Sequence, residues 1–361
     1  MYRYRFVDIA RGIGMLSVVI GHHIILSNSG TPFEKSFCDF FWSFHMPLFF
    51  ILSGYFFNIQ KYSIKQQVIK DAKHILLPCV VTIFASYFYD IIIGNVPAAK
   101  LITRSVAAIF LLVQPIGVWF LLSLFWGRLF CKVALKYNKY QMGIITLLLL
   151  NVLVLIIPFD MVKFTPFMIN RALTCPVFIL IGILCRRYFP FERLQANLLY
   201  TVIAILIMAS APLLYFDMSM CAYPLFTMNI VTATALTAGF LYLCYILEKV
   251  TYPTSENATE VATEKVRIGG GNIIYLLKKG INIILRLPVD YIRYIGRHSL
   301  AVLCYHAFLI SAVRLQDYIP IESTFTVGLI VSIIISIIVY LQTSIRKIIL
   351  DENERKRANR S

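Results

Sequence analysis

The chain has 361 residues, 59% of them apolar and 14% charged, with a mean hydropathy of +0.76, whereas a soluble domain carries about 25% charge. That excludes an ordinary soluble domain. Its 34 Lys and Arg against 18 Asp and Glu leave a formal charge of +16, which in so apolar a chain points to basic loops along one side of a membrane and not to nucleic acid.

A helix needs about 20 apolar residues to cross a bilayer core. The spacing predicts ten crossings, at 7–27, 38–57, 75–94, 107–127, 142–159, 167–185, 196–216, 225–247, 298–316 and 325–346. The expected fold class is therefore all-α, a polytopic membrane protein with one transmembrane unit over 1–347, a polar insertion at 248–297 and a charged tail at 348–361 that extends the last helix. Loops alternate between two sides, and 27 of the 34 basic residues fall on the side of the termini, against 6 on the other. The positive-inside rule then places both termini in the cytoplasm.

The first span follows directly on Met1-Tyr-Arg-Tyr-Arg and holds Asp8 and Arg11, which does not read as a cleavable signal peptide. Ionisable groups inside spans are costly and are candidate sites by default. Asp8 and Arg11 share a helix face and can neutralise each other. His22 lies eleven residues beyond Arg11, three turns within about 20°, so the two share a face roughly 16 Å apart along the axis. An inner-leaflet ion pair and a packing histidine would use the same residues.

In the second span, the run Phe44-His45-Met46-Pro47-Leu48-Phe49-Phe50-Ile51-Leu52-Ser53-Gly54 carries a proline expected to kink the helix and a Ser53-Gly54 step that permits close helix approach. His45 enters from the outer side and reaches the depth of His22. The loop after it, 58–74, is basic. The fourth span is either one helix broken at Pro115-Ile116-Gly117 or an interfacial segment followed by a crossing, and it contains Trp119-Phe120-Leu121. The insertion from Thr251 to Gly271 is rich in Thr, Glu and Gly and is expected to be mobile, while 272–286 suits a helix lying on the inner leaflet. Gly296-Arg297-His298-Ser299-Leu300 leads into Tyr305-His306, with His306 about 12 Å inside the ninth span.

Taken in order, Asp8-Ile-Ala-Arg11-Gly12, His22, the Phe44 to Phe57 block, Trp119-Phe120-Leu121 and the Gly296 to His306 block resemble the membrane-bound acyltransferase 3 family over nearly the whole chain. The resemblance implies transfer of an acyl group, most often acetyl, from a cytosolic acyl-CoA such as acetyl-CoA to a hydroxyl of an extracytoplasmic or lipid-linked glycan. It implies His22 as the catalytic histidine and general base, with Arg11 and its partner Asp8 positioning the donor. His45, Trp119, His306 and Ser53 are secondary pocket residues. The family tends to carry Arg-x-x-Arg after its second span, for the donor's phosphates. Here that position reads Lys70-Asp71-Ala72-Lys73, so Lys70 and Lys73, with Arg297, are the corresponding donor-binding residues, although lysine lacks the bidentate fork. The same lysines could serve topology alone. Expected partners are acyl-CoA, a glycan or lipid-linked sugar and the bilayer of a bacterial inner membrane, with no permanently bound cofactor, no metal and no nucleic acid. Self-association is left open. The rival reading is a transporter or flippase of a glycan precursor, which would favour broken helices at matching positions of two halves.

Overall fold

The computed structural model describes residues 4–27, 31–95, 97–111, 117–137, 140–156, 172–214, 217–219, 223–225, 227–252, 286–311, 313 and 323–358. Among them no strand forms, and the elements are helices: α1 (Arg5–Ser27), α2 (Pro32–Trp42), α3 (His45–Tyr55), α4 (Ile64–Asp71), α5 (Leu77–Ile92), α6 (Leu101–Leu111), α7 (Trp119–Tyr137) and α8 (Tyr140–Ile156). They continue with α9 (Cys175–Tyr188), α10 (Leu198–Ala209), α11 (Met228–Thr251), α12 (286–297), α13 (Ser299–Ser311) and α14 (Thr324–Ala358). Five helical stretches among the described residues are long and apolar enough to cross a membrane: Arg5–Leu26, Pro32–Tyr55, Ile64–Ile92, Met228–Thr251 and Thr324–Ile349. The protein is an all-α membrane protein. Residues 253–285, including the mobile stretch and inner-leaflet helix expected there, lie outside the described residues.

The helix at the centre is α1. It packs against α14, α11, α2, α13 and α3, and Phe6, Val7, Ile9, Ala10, Val18 and Val19 are all buried. Apolar residues occur all round it, the pattern of an enclosed helix and not of one lying on a surface. Its first turn is tied down where Phe6 N–H donates to Glu248 Oε2 of α11 at 2.8 Å. Just before it, the Tyr4 hydroxyl donates to Glu192, and that bond holds the Glu192 carboxyl below its usual range.

Small residues set two close crossings. Gly54 of α3 and Gly182 of α9 face each other so tightly that a Cβ on Gly54 would overlap the Ile179 carbonyl, and one on Gly182 the Ile51 carbonyl. The Ser53-Gly54 step thus permits the expected approach. Gly12 of α1 meets α12 in the same way at Ile292, and Gly296 meets Asp8, which carries Arg297 over to the start of α1.

Three local departures from the sequence reading follow from backbone chemistry. First, Pro47 does not kink a continuous second span. The helix breaks at Ser43-Phe44, and Pro47 sits in the first turn of α3, where its missing N–H would have had no intrahelical partner. The Ser43 hydroxyl donates within the break to the Asp39 and Ala211 carbonyls. Second, α2 begins at Pro32, six residues before the predicted span, because Thr31 and Glu34 form a capping box. Glu34 also accepts from Thr324 and, at 3.0 Å, from Phe325 N–H, which joins the start of α14 to the start of α2. Third, the helix from Ile64 to Ile92 passes through a π-helical turn at Ala72–Leu76, in which Leu77 N–H donates to the Ala72 carbonyl five residues back. Pro78 cannot donate to the carbonyl four residues before it, and a widened turn absorbs the mismatch. The predicted fourth span falls on α6, which reaches Leu111, and α7, which starts at Trp119, while residues 112–116 lie outside the described residues.

Substituting Gly54 by Ala should destabilise the protein by about 1–3 kcal/mol, since backbone and not a side-chain tip blocks the added carbon. Gly239, where an added Cβ would meet its nearest atom at an ordinary 3.4 Å, is the control. Thermal unfolding in detergent should show Gly54→Ala melting several degrees lower and Gly239→Ala unchanged or slightly higher. Equal midpoints would contradict the close crossing.

Candidate active site

The two ends of α1 open into cavities of different chemistry. On the face where α1 begins, a cavity of about 270 Å³ is lined by Arg11, Ser53, His74, Arg128 and Ser299 over an apolar floor that includes Leu303. On the opposite face, a cavity of about 70 Å³ is lined by His22, Trp42, His45, Trp119, Asp217 and Ser219.

The first cavity is cationic. Asp8, only 3% exposed, pairs with Arg297 at 3.3 Å, a contact made possible by the α1–α12 crossing. The Arg11 guanidinium lies over the Phe56 ring at 5.4 Å. Arg128 of α7 is held from several sides. Its Nε and Nη2 donate to both Asp71 carboxylate oxygens at 3.0 and 3.2 Å, and its Nη1 donates to Ser53 Oγ at 3.0 Å. The Phe57 ring covers its carbon at 4.3 Å. A guanidinium has five N–H donors, so these three contacts leave donors over for an anion. The π turn at Ala72–Leu76 follows directly on Asp71 and carries His74 into the cavity wall.

Lys70 and Lys73 are exposed and do not line this cavity. Lys70 Nζ rests over the Tyr62 ring at 4.6 Å. The predicted fourth span ends at 127, which leaves Arg128 to a basic loop beyond it. The structure continues α7 to Tyr137 instead, so Arg128 stands nine residues inside a helix. The readable signal was an arginine following Trp126-Gly127 with no turn residue after it.

At the other cavity the imidazoles converge. His22 Nδ1 and His306 Nε2 are 2.8 Å apart. His306 is fully buried, and its Nδ1–H donates to the Leu303 carbonyl at 3.2 Å. His45 Nδ1–H donates to the Phe41 carbonyl at 2.9 Å, across the break before α3. Gly117 adopts φ +81°, and a Cβ there would come within 3.1 Å of His306 Cε1 and 3.5 Å of His22 Cε1. Only glycine therefore suits this turn, both for its left-handed backbone and for the space beside the two rings. His23, which the helical wheel turns away from His22, is buried elsewhere on α1.

A family model described as an acyltransferase domain matches residues 4–341. The chain belongs to the acyltransferase 3 family. It is a multi-pass membrane acyltransferase. No curated protein and no solved structure matches it. Along the α1 face of this acyltransferase, Arg11 opens to one cavity and His22 to the other, with Ser53 and Arg297 at the first end and His45, Trp119 and His306 at the second.

The Asp71–Arg128 pair is largely enclosed, with side-chain exposures of 6% and 15%, so removing either partner strands the other charge. Asp71→Asn and Arg128→Gln should each cost about 3 kcal/mol, and the double variant clearly less than their sum. Chemical unfolding of the four proteins measures this coupling. Additive losses would show that the two side chains do not act as a pair.

Proposed function

We propose that this acyltransferase crosses the membrane ten times with both termini in the cytoplasm of a bacterial inner membrane, and moves an acetyl group from cytosolic acetyl-CoA to a hydroxyl of an extracytoplasmic or lipid-linked glycan. The observation that carries the reading is the pair of cavities joined by α1, cationic where the helix begins and lined by imidazoles at the other end. A polyanionic donor suits the first. A neutral polyhydroxy acceptor suits the second, whose Trp42, Trp119, Asp217 and Ser219 offer aromatic faces and polar atoms of the kind that bind sugars.

The donor's phosphates meet Arg11 and Arg128, with Lys70, Lys73 and Arg297 forming the basic approach around the opening. Arginine forks match phosphate oxygens bidentately, and a guanidinium already aligned by Asp71 and Ser53 loses little entropy on binding. The thioester arm then runs along the Arg11 face of α1 for roughly 16 Å, the length of eleven helical residues, past Leu303 toward His22. There His22 takes the proton of the acceptor hydroxyl as its oxygen attacks the thioester carbonyl. The tetrahedral intermediate collapses with cleavage of the carbon–sulfur bond, and the proton on His22 passes to the departing thiolate. The products are the O-acetyl ester and free CoA thiol.

Thiol release from acetyl-CoA by the purified protein in nanodiscs, with and without a glycan acceptor, tests the reading. His22→Gln should lower the acceptor-dependent rate by a factor of about 10² or more. Arg11→Lys should also impair turnover, mainly by raising KM for the donor, because a fork is exchanged for a point charge. Full activity in His22→Gln would overturn the mechanism. Absence of thiol release with every acyl donor, together with translocation of a glycan precursor, would return the transporter reading.

A further inference from the structure

We infer that His22 and His306 act as one hydrogen-bonded pair in which His306 is a positioning residue that fixes the tautomer of His22 and stabilises its charge during transfer. The inference rests on the reading of His22 as the base.

The ring geometry supports it directly. Nitrogens 2.8 Å apart belong to rings whose centroids are 4.8 Å apart and whose planes differ by 18°. Rings in stacking contact alone would keep their atoms about 3.5 Å apart; here the planes are nearly parallel and the 2.8 Å nitrogen–nitrogen distance marks a hydrogen bond between the ring edges. Proton positions then follow by elimination. The Leu303 carbonyl can only accept, so the proton of neutral His306 is on Nδ1, and its Nε2 carries a lone pair. That lone pair faces His22 Nδ1, which must therefore be the donor. The remaining nitrogen of His22, Nε2, is left as the acceptor, and His22 lines the cavity proposed for the glycan hydroxyl. The chain from the Leu303 carbonyl through His306 to His22 thus holds the basic nitrogen at the working edge.

When Nε2 takes the acceptor proton, His22 becomes an imidazolium whose Nδ1–H still points at His306 Nε2. The lone pair of the neutral partner stabilises that charge through the bond, in the place a carboxylate takes in the Ser-His-Asp arrangement. No net proton leaves the pair, and the proton on Nε2 goes on to the thiolate. The other charged or titratable groups about this cavity are His45, whose Nδ1–H is committed to Phe41, and Asp217 on the cavity wall. His23 is on the same helix. Gly117 borders both rings, and its lack of a Cβ leaves them the space to meet.

Side-chain nitrogen NMR of the full-length protein in nanodiscs, with labelled histidine and assignments from His22→Gln and His306→Gln, reads the tautomer. His22 should carry its proton on Nδ1 in the unaltered protein. Glutamine at 306 keeps an acceptor near the position of Nε2 while leucine of similar size does not. His306→Gln should retain the Nδ1–H form and acceptor-dependent thiol release within about tenfold, whereas His306→Leu should shift His22 toward the Nε2–H form and lose on the order of 10²–10⁴ in kcat. Unchanged signals from the remaining histidines check that each variant folds. An Nε2–H tautomer in the unaltered protein, or equal rates for the two variants, would overturn the pairing. Should both variants be fully active while His22→Gln is inactive, the pairing alone fails. Should His22→Gln itself retain activity, the base assignment fails with it.

Discussion

Enclosure of α1 is the constraint on which the rest of the molecule depends. A helix packed on several sides within a membrane protein cannot leave charges to water, so its polar groups are stabilised by partners on other helices. Asp8 finds Arg297, Phe6 N–H finds Glu248, and His22 finds His306. Each of these contacts reaches from α1 across more than 200 residues of sequence. The polar contacts of the site are therefore also the contacts that assemble the helices, and the fold cannot be separated from the chemistry it holds.

Irregular backbone accompanies both cavities. The break at Ser43-Phe44 turns His45 into the imidazole cavity, and the π turn at Ala72–Leu76 sets Asp71 and His74 against Arg128. Regular helices at these places would carry the same side chains round their axes to other neighbours. Departures from regular helix are tolerated at membrane depth only where protein or a cavity satisfies the freed groups. Here the Ser43 hydroxyl, the Leu77 amide and the His45 ring supply those bonds.

What the sequence made legible follows from how local each signal is. Apolar length and basic asymmetry identify an all-α membrane protein, and the eleven-residue step from Arg11 to His22 needs only helical geometry. The convergence of His22, His45 and His306 in depth also follows from counting along each helix. Their pairing does not, because it depends on which helices are neighbours. Arg128 was hidden for a different reason. At the end of an apolar run a basic residue reads as a loop marker, and α7 instead continues for nine more residues to Tyr137. Lys132 shares that position. It is buried, with its ammonium on the Ile59 and Tyr62 carbonyls, and it holds the turn between α3 and α4. The start of α2 was readable, since Thr31-Pro32-Phe33-Glu34 spells a capping box, but hydropathy begins only at Cys38 and drew the boundary there.

The contrast between Arg128 and the lysines of 58–74 bears on how an anionic donor would be recognised. Exposed lysines offer mobile point charges that salt screens and that each lose rotamer freedom on binding. They favour encounter more than they define a pose. A guanidinium fixed by two carboxylate oxygens and a serine, under an aromatic ring, has lost that freedom on folding. Its neutralisation by Asp71 lowers the net field it presents, yet the same pairing leaves its outward N–H donors fixed in direction. On the proposed reading the basic loop sets how fast the donor arrives and Arg128 sets how it is held. The position of that hold matters because the reactive end must reach His22, which lies three helical turns beyond Arg11 along α1.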